Sequence, residues 1–465
     1  MNPMLLPLLV LSAATPPPAP LLPVPTPAQL EWQRMEFGMF CHFGINTFHN
    51  MEWTDGTKDP QTFNPVEFDP AQWADTAKNA GMKYLVFTAK HHDGFALYPT
   101  EHSAYSVKAS PWRGGKGDAL REVADTTRAA GLMFGFYLSP WDRHEPKYAD
   151  SMAYDDHFKA MLREIITGYG PVGEVWFDGA GSEGHVYDWD GYYALIRELA
   201  PQALIAICGP DIRWVGNEDG LGPETLWNPQ PFQIPVPGEA PRTEMRWWPS
   251  ECDVPIREGQ WFFHTDGEKH LRSLENLLDI YYRSIGHGAA LLMNLTPDRR
   301  GLLPDADVAR LLELRAVLDE TFAVDLAAGA ATTANNTRGG DPAFAPGKAV
   351  DGDQDSYWAA DDGVTDGWIE LDLGGAKTFD RVVLQEQIAL GQRIEEHAVH
   401  TWDGAAWNSA ATGTTIGYKR IHCFPPVTAS KIRVAVTKAK ACPTLSHVGV
   451  FKASPRDTGA VEKRN

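Results

Sequence analysis

The amino-acid sequence predicts an α/β fold: a (β/α)8-type, TIM-like barrel followed by an all-β sandwich domain. Three observations carry this expectation. Between about residues 30 and 322, short apolar runs alternate with amphipathic stretches. That is the pattern of parallel strands joined by helices, and ~250 to 300 residues of it suit a closed barrel. No glycine-rich phosphate fingerprint follows the first strand, which argues against an open dinucleotide-binding sheet. Beyond Phe322 the texture changes to short alternating runs parted by turn residues, the signature of a sandwich.

Residues 1–27 read as a signal peptide and Pro-rich leader. Met4 to Ala14 is apolar and ends in small residues, and a Pro-rich run continues to Pro27. A positively charged start is missing, yet the rest fits export to a secreted or periplasmic location. The run is too short to span a membrane, and no other candidate span is present. Residues 28–325 form the expected barrel. Its strands are read at Phe37–Phe43, Tyr84–Ala89, Met133–Leu138, Val175–Phe177, Leu204–Cys208 and Ala289–Leu295, with helices such as Pro70–Ala80, Asp118–Ala130 and Tyr154–Tyr169 between them. Residues 326–453 are the expected sandwich, with strands at Trp368–Leu373, Arg381–Gln385, Ala398–Trp402, Lys431–Val436 and Val448–Phe451. The charged tail 454–465 is expected to be disordered.

A 43% hydrophobic and 22% charged composition is that of a soluble globular protein. The net charge of −20 argues against nucleic acid as a partner, because its phosphates would be repelled, and fits a neutral or weakly charged substrate. Sixteen tryptophans offer flat faces for stacking on sugar C–H surfaces, although core packing accounts for many of them. The five cysteines, Cys41, Cys208, Cys252, Cys423 and Cys442, have neither disulfide-framework nor zinc spacing and read as buried thiols.

The chemistry is expected at the C-terminal ends of the strands, where barrels place active sites. His42 ends the first strand. Lys90-His91-His92-Asp93-Gly94 ends the second, Tyr137 through Trp141 the third, Asp178 the fourth and Asn294 a late one. Asp178 closes the run Val175-Trp176-Phe177 just before Gly179. An Asx-turn competes for Asp-Gly, but a carboxylate leaving a buried strand is also the placement of a nucleophile. A metal is not expected: His42 stands alone on its strand and His91 and His92 are adjacent, whereas barrel metal sites use alternating His-x-His pairs. Hydrogen bonding to substrate hydroxyls suits these histidines better. Two carboxylates suggest glycoside hydrolysis. Asp178 is one; Glu251 is preferred for the other, with Glu244 and Glu258 as competitors.

On the segments Phe37 to Gly44, Thr88 to Phe95, Gly135 to Asp142, Val175 to Gly179, Glu251-Cys252-Asp253-Val254 through Trp261 to His264, and Leu291 to Asn294, the chain resembles α-L-fucosidases of glycoside hydrolase family 29. The resemblance implies a retaining exo-fucosidase with Asp178 as nucleophile and Glu251 as acid/base. It implies fucose binding by His42, Trp53, His91, His92 and Tyr137, and no cofactor. Trp261 is expected to face the fucose methyl and Trp141 the aglycone. Ser139-Pro140-Trp141-Asp142-Arg143 and Glu251-Cys252-Asp253-Val254 resemble the subgroup that prefers α-1,3/1,4-linked fucose, as in Lewis-type glycans. The alternatives are α-1,2 or broad linkage preference, or an inactive glycan-binding protein. Ala349 to Trp358 and Trp368 to Gly374 resemble discoidin-like, galactose-binding sandwiches, which implies a structural Ca²⁺ near Asp351, Asp353 and Ser356.

Overall fold

A computed structural model describes residues 15–236, 239–240 and 242–457. The signal segment up to residue 14 and the tail beyond residue 457 lie outside the described residues; the first tail residues, 454–457, are docked and not disordered, with the Ser454 N–H on Thr321 Oγ1 (3.0 Å) and the buried Asp457 paired with Arg381 (3.3 Å).

Helix α1 (Pro27–Met35) opens the barrel, with Thr26 and Gln29 forming a reciprocal capping box at its start. Eight parallel strands follow: β1 (Phe37–Cys41), β2 (Tyr84–Lys90), β3 (Met133–Leu138), β4 (Glu174–Phe177), β5 (Leu204–Ile207), β6 (Arg213–Trp214), β7 (Ser250–Pro255) and β8 (Ala290–Leu295). They pair in the order β5-β4-β3-β2-β1-β8-β7-β6. The circle closes where Ile207 N–H donates to the carbonyl of Ile212 over 2.9 Å, just ahead of β6. Helices α2 (Pro70–Asn79), α3 (Ala119–Ala129), α4 (Ser151–Gly168), α5 (Trp189–Leu199), α6 (Leu274–Ser284) and α7 (Asp305–Thr321) return the chain between strands and after the last.

Strand alternation sorts each side chain to one face of the barrel wall. On β4, Phe177 points outward and packs its ring against Phe158 of α4 and Tyr192 of α5, at centroid distances of 5.7 and 6.4 Å. Glu174, Trp176 and then Asp178 point inward. Because both faces of these strands are covered, the apolar runs are nearly continuous and readable. Strands β6 and β7 escape that reading: β6 is two residues long, and β7 begins Ser250-Glu251-Cys252-Asp253.

The sandwich contains β9 (Ala331–Ala334), β10 (Gly367–Gln385), β11 (Ile394–Trp402), β12 (Trp407–Gly413), β13 (Arg420–Ala439) and β14 (His447–Phe451). All of these pair antiparallel, in the order β9-β10-β13-β11-β12 with β14 beside β10. The expected strands Trp368–Leu373 and Arg381–Gln385 are two halves of β10, which bends at irregular register between Asp372 and Lys377. Val383, Ile421 and Phe451 leave the sandwich core and join the barrel's apolar cluster, so the two domains share buried surface.

One more expectation for a flanking segment changes. From Thr15 the Pro-rich stretch is not a free leader but a strap on the sandwich. Arg338 Nε donates to the Pro16 carbonyl (2.7 Å), Arg393 Nη2 to that of Ala19 (2.6 Å), and Leu21 N–H to that of Leu390 (2.8 Å). A Pro-rich segment lacks many donors of its own, so docking through its carbonyls onto arginines is the chemistry open to it. In the loop expected to hold Ca²⁺, both oxygens of Asp351 already accept from Ser356 Oγ (2.8 and 2.9 Å), and the Lys348 ammonium lies 3.3 Å away.

Candidate active site

At the C-terminal end of the barrel a cavity of about 480 Å³ opens between the strand ends. Six of the expected residues line it: His42, Trp53, His91, His92, Asp178 and Trp261. Asp178 leaves β4 where the backbone turns away from the sheet, and its side chain is 25% exposed. Its Oδ1 accepts from the Ala180 N–H (2.9 Å) and its Oδ2 from the Tyr137 hydroxyl (3.2 Å). Burial pushes its carboxyl above the usual range, and these two donors pull it back. The donors also fix the carboxylate's orientation, as a nucleophile requires.

Burial disfavours the charged form of these histidines, and hydrogen-bond partners assign the tautomers of His42 and His92. His42 Nδ1 lies 2.9 Å from Asn294 Oδ1, so it carries the proton and leaves Nε2 as an acceptor. His92 Nδ1 lies 2.7 Å from Ser139 Oγ, whose own hydroxyl is given to the Trp141 carbonyl. His92 Nδ1 is therefore the donor, and its Nε2 lies 3.5 Å from Asp178 Oδ2. Burial lowers both imidazoles to about 3. Burial first, then the neighbouring His92, lowers His91 well below its ordinary value. Neutral rings with free nitrogens suit a substrate of hydroxyl groups.

Three expected residues do not face the cavity. Tyr137 is fully buried behind the wall, bonded to Asp178 and stacked on His91 and Trp176 at 5.5 and 5.2 Å. Trp141 stands behind Trp53, edge to face at 5.5 Å, and covers Gly181, where a Cβ would fall 2.0 Å from its ring. The correction with most consequence concerns Glu251. It is the second residue of β7, near that strand's N-terminal end, and is 0% exposed. There it accepts from Trp176 Nε1 (3.0 Å) and the Tyr84 hydroxyl (3.2 Å), inside the barrel and below the cavity. An acid that must protonate a departing group cannot work from beneath the floor. Glu244, its competitor, is exposed and paired with Arg246 at 2.8 Å.

The cavity instead presents Glu52, Glu183, Glu218 and Asp253, which the sequence reading passed over. Glu52 accepts from the Trp261 N–H (2.8 Å) and from His264 Nε2 (2.5 Å), so it clamps the loop that carries Trp261. Glu218 is exposed on the loop after β6, and its Oε2 accepts from Trp261 Nε1 over 2.9 Å. The only sequence signal for Glu218 was the polar Asn217-Glu218-Asp219-Gly220 after Trp214. It resembles a plain turn, and Asn217 does cap that turn through the Asp219 N–H at 3.0 Å. Among the described residues, no group of three or more His, Cys, Asp or Glu is arranged to hold a metal ion.

A parallel barrel with an oriented carboxylate, neutral imidazoles and indole faces in one blind cavity is a glycoside hydrolase. Comparison with known proteins narrows the class. Residues 24–320 match the alpha-L-fucosidase family model, and residues 348–434 match the NedA-like, galactose-binding domain. The chain belongs to the alpha-L-fucosidases of glycoside hydrolase family 29. A relative from Oryza sativa subsp. japonica is 41% identical over 464 residues, which span 97% of this chain and 89% of the relative. Alpha-L-fucosidase 1 of Arabidopsis thaliana is 36% identical, with 96% and 92% covered. The solved structure of a Ruminococcus gnavus GH29 fucosidase in complex with fucose is 32% identical. It superposes with a TM-score of 0.87 over 95% of this chain and 98% of that one.

Proposed function

We propose that the protein is a retaining exo-α-L-fucosidase in which Asp178 attacks and Glu218 is the acid/base. The observation that carries the proposal is the pair of carboxylates on one cavity. Asp178 is held at its inner wall by Tyr137 and Ala180, and Glu218 is held at its exposed rim by Trp261 Nε1. In the first step an Asp178 oxygen bonds to the anomeric carbon while the bond from that carbon to the glycosidic oxygen breaks. Glu218 gives that oxygen its proton. In the second step Glu218 takes a proton from water, whose oxygen replaces Asp178 on the sugar. Glu183, the other rim glutamate, has no hydrogen bond among the described residues to hold it in one position.

The blind cavity suits removal of a terminal sugar. The exposed indole of Trp214 beside Glu218 offers a face to the remaining glycan. Together with the two sequence motifs, this supports branched α-1,3/1,4-linked fucose as substrate. Glu218→Ala, Glu183→Ala and Glu251→Gln, assayed on a Lewis trisaccharide and on an aryl fucoside with a good leaving group, test the assignment. Glu218→Ala should lose roughly 10²- to 10⁴-fold on the trisaccharide and far less on the aryl substrate. The same pattern in Glu183→Ala, with Glu218→Ala unaffected, would transfer the role. Preference for 2′-fucosyllactose over the trisaccharide would overturn the linkage assignment.

A further inference from the structure

Asp253 follows Glu251 by two residues on β7, so both side chains enter the barrel interior on the same face of the strand. Asp253 is 3% exposed and lines the floor of the cavity, and apart from the neighbouring Glu251 carboxyl no group of the described residues hydrogen-bonds to either of its oxygens. A buried carboxyl at the wall of a binding cavity whose one partner is a second carboxyl requires a physical reason.

The groups below it supply one. Glu251 receives two donors, Tyr84 and Trp176. Deeper still, Glu174 at 0% exposure receives Trp32 Nε1 at 3.0 Å. Three carboxyls therefore sit in one interior, and no Lys, Arg or His of the described residues pairs with any of them. Such a set cannot all be ionised, because each anion is desolvated and repels the next. Glu251, with two fixed donors, is the member suited to carry charge. Asp253, with none, is the member that keeps a proton, and burial followed by the adjacent Glu251 pushes its carboxyl well above the usual range. Its acidic O–H is within reach of Glu251, which leaves its carbonyl oxygen for the cavity.

We propose that Asp253 is a sugar-binding residue on the cavity floor, a neutral carboxylic acid that donates its O–H to Glu251 and accepts a hydrogen bond from a hydroxyl of the bound monosaccharide. The proposal rests on reading this cavity as the fucose site. It gives the inner stack a purpose: Glu251 and Glu174 serve as the base that holds Asp253 neutral and oriented, so the floor adds no second anion beside Asp178.

An asparagine reproduces both bonds, Nδ2–H to Glu251 and Oδ1 to the sugar, whereas leucine of similar size offers neither. Dissociation constants for L-fucose, read from tryptophan fluorescence, and KM for an aryl fucoside are the measurements. Asp253→Leu should weaken both by about 10- to 100-fold, and Asp253→Asn should recover most of that loss. Where Asp253→Leu does not fold as wild type does by circular dichroism, difference infrared spectroscopy replaces it. Adding L-fucose to wild type should shift a protonated-carboxyl C=O band that Asp253→Asn lacks. A folded Asp253→Leu with wild-type binding would overturn the proposal, as would Asp253→Asn losing as much as leucine or a missing carboxyl band. Wild type that binds no fucose and cleaves no fucoside would instead refute the reading of the cavity, and the proposal with it.

Discussion

Gly38 on β1 faces the barrel interior, where the Tyr84 ring crosses to reach Glu251. A Cβ at position 38 would fall 2.3 Å from Tyr84 Cζ and 2.5 Å from both Cε atoms. Ordinary contact begins at 3.4 Å, so Gly38→Ala must drive the ring about 1.1 Å across a core in which Tyr84 is 0% exposed. Overpacking of this kind costs about 1–3 kcal/mol. Displacing the hydroxyl from its 3.2 Å bond to Glu251 costs a further ~1–3 kcal/mol. Reduced freedom of the unfolded chain returns roughly 0.4–1 kcal/mol. The net expectation is a loss of about 1–5 kcal/mol, seen as a melting temperature lower by about 2–8 °C for a barrel of ~300 residues. The assay is thermal or urea unfolding of wild type, Gly38→Ala, Tyr84→Ala and the double variant. With the ring gone the methyl has room, so the double variant should be more stable than the sum of the two single losses by more than about 1 kcal/mol. Additive costs would refute the crossing of Tyr84 over Gly38.

Three further outcomes follow from the site and its supports. Arg257 Nε lies 3.0 and 2.9 Å from the two oxygens of Asp307 on α7, with both side chains buried. Asp307→Ala strands the guanidinium and should cost about 3–5 kcal/mol by urea unfolding. Because Gln260 N–H bonds to the Arg257 carbonyl at 3.0 Å, directly before Trp261, KM for a fucoside should rise as well. His92 is held at about 3 in the folded protein, against 6.5 when unfolded, so the folded state binds fewer protons between those values. Its contribution to stability is complete above pH 6.5 and is lost as pH falls toward 3. By pH 5 the loss is about 2 kcal/mol, and His92→Gln should remove that much of the fall between pH 7.5 and 5. Equal falls in the two proteins would contradict it.

The barrel was legible because parallel strands covered on both faces spell themselves as apolar runs, and polar residues ending those runs stand out. His42, His91, His92 and Asp178 were found that way. The same logic misplaced Glu251. Ser250 to Pro255 is a strand, and its inward-facing Glu251 is tolerated because Tyr84 and Trp176 come from other strands to meet it. Those partners are 167 and 75 residues away, a separation that local pattern does not cross. Glu218 escaped notice for the opposite reason. Its strand is two residues long and carries no periodicity, and its loop has the composition of any surface turn. The strap formed by the Pro-rich segment depends on Arg338 and Arg393, more than 300 residues away in the other domain.

The central claim is that Asp178 forms the bond to the sugar. Incubating the enzyme with a 2-deoxy-2-fluoro-L-fucosyl fluoride, which expels fluoride readily but slows release of the fucosyl group, followed by proteolysis and peptide mass spectrometry, tests it directly. The account predicts time-dependent inactivation and a single fluorofucosyl adduct on Asp178. An adduct on Glu218, Glu183 or another side chain, or turnover that inverts the anomeric centre with no adduct at all, would contradict it.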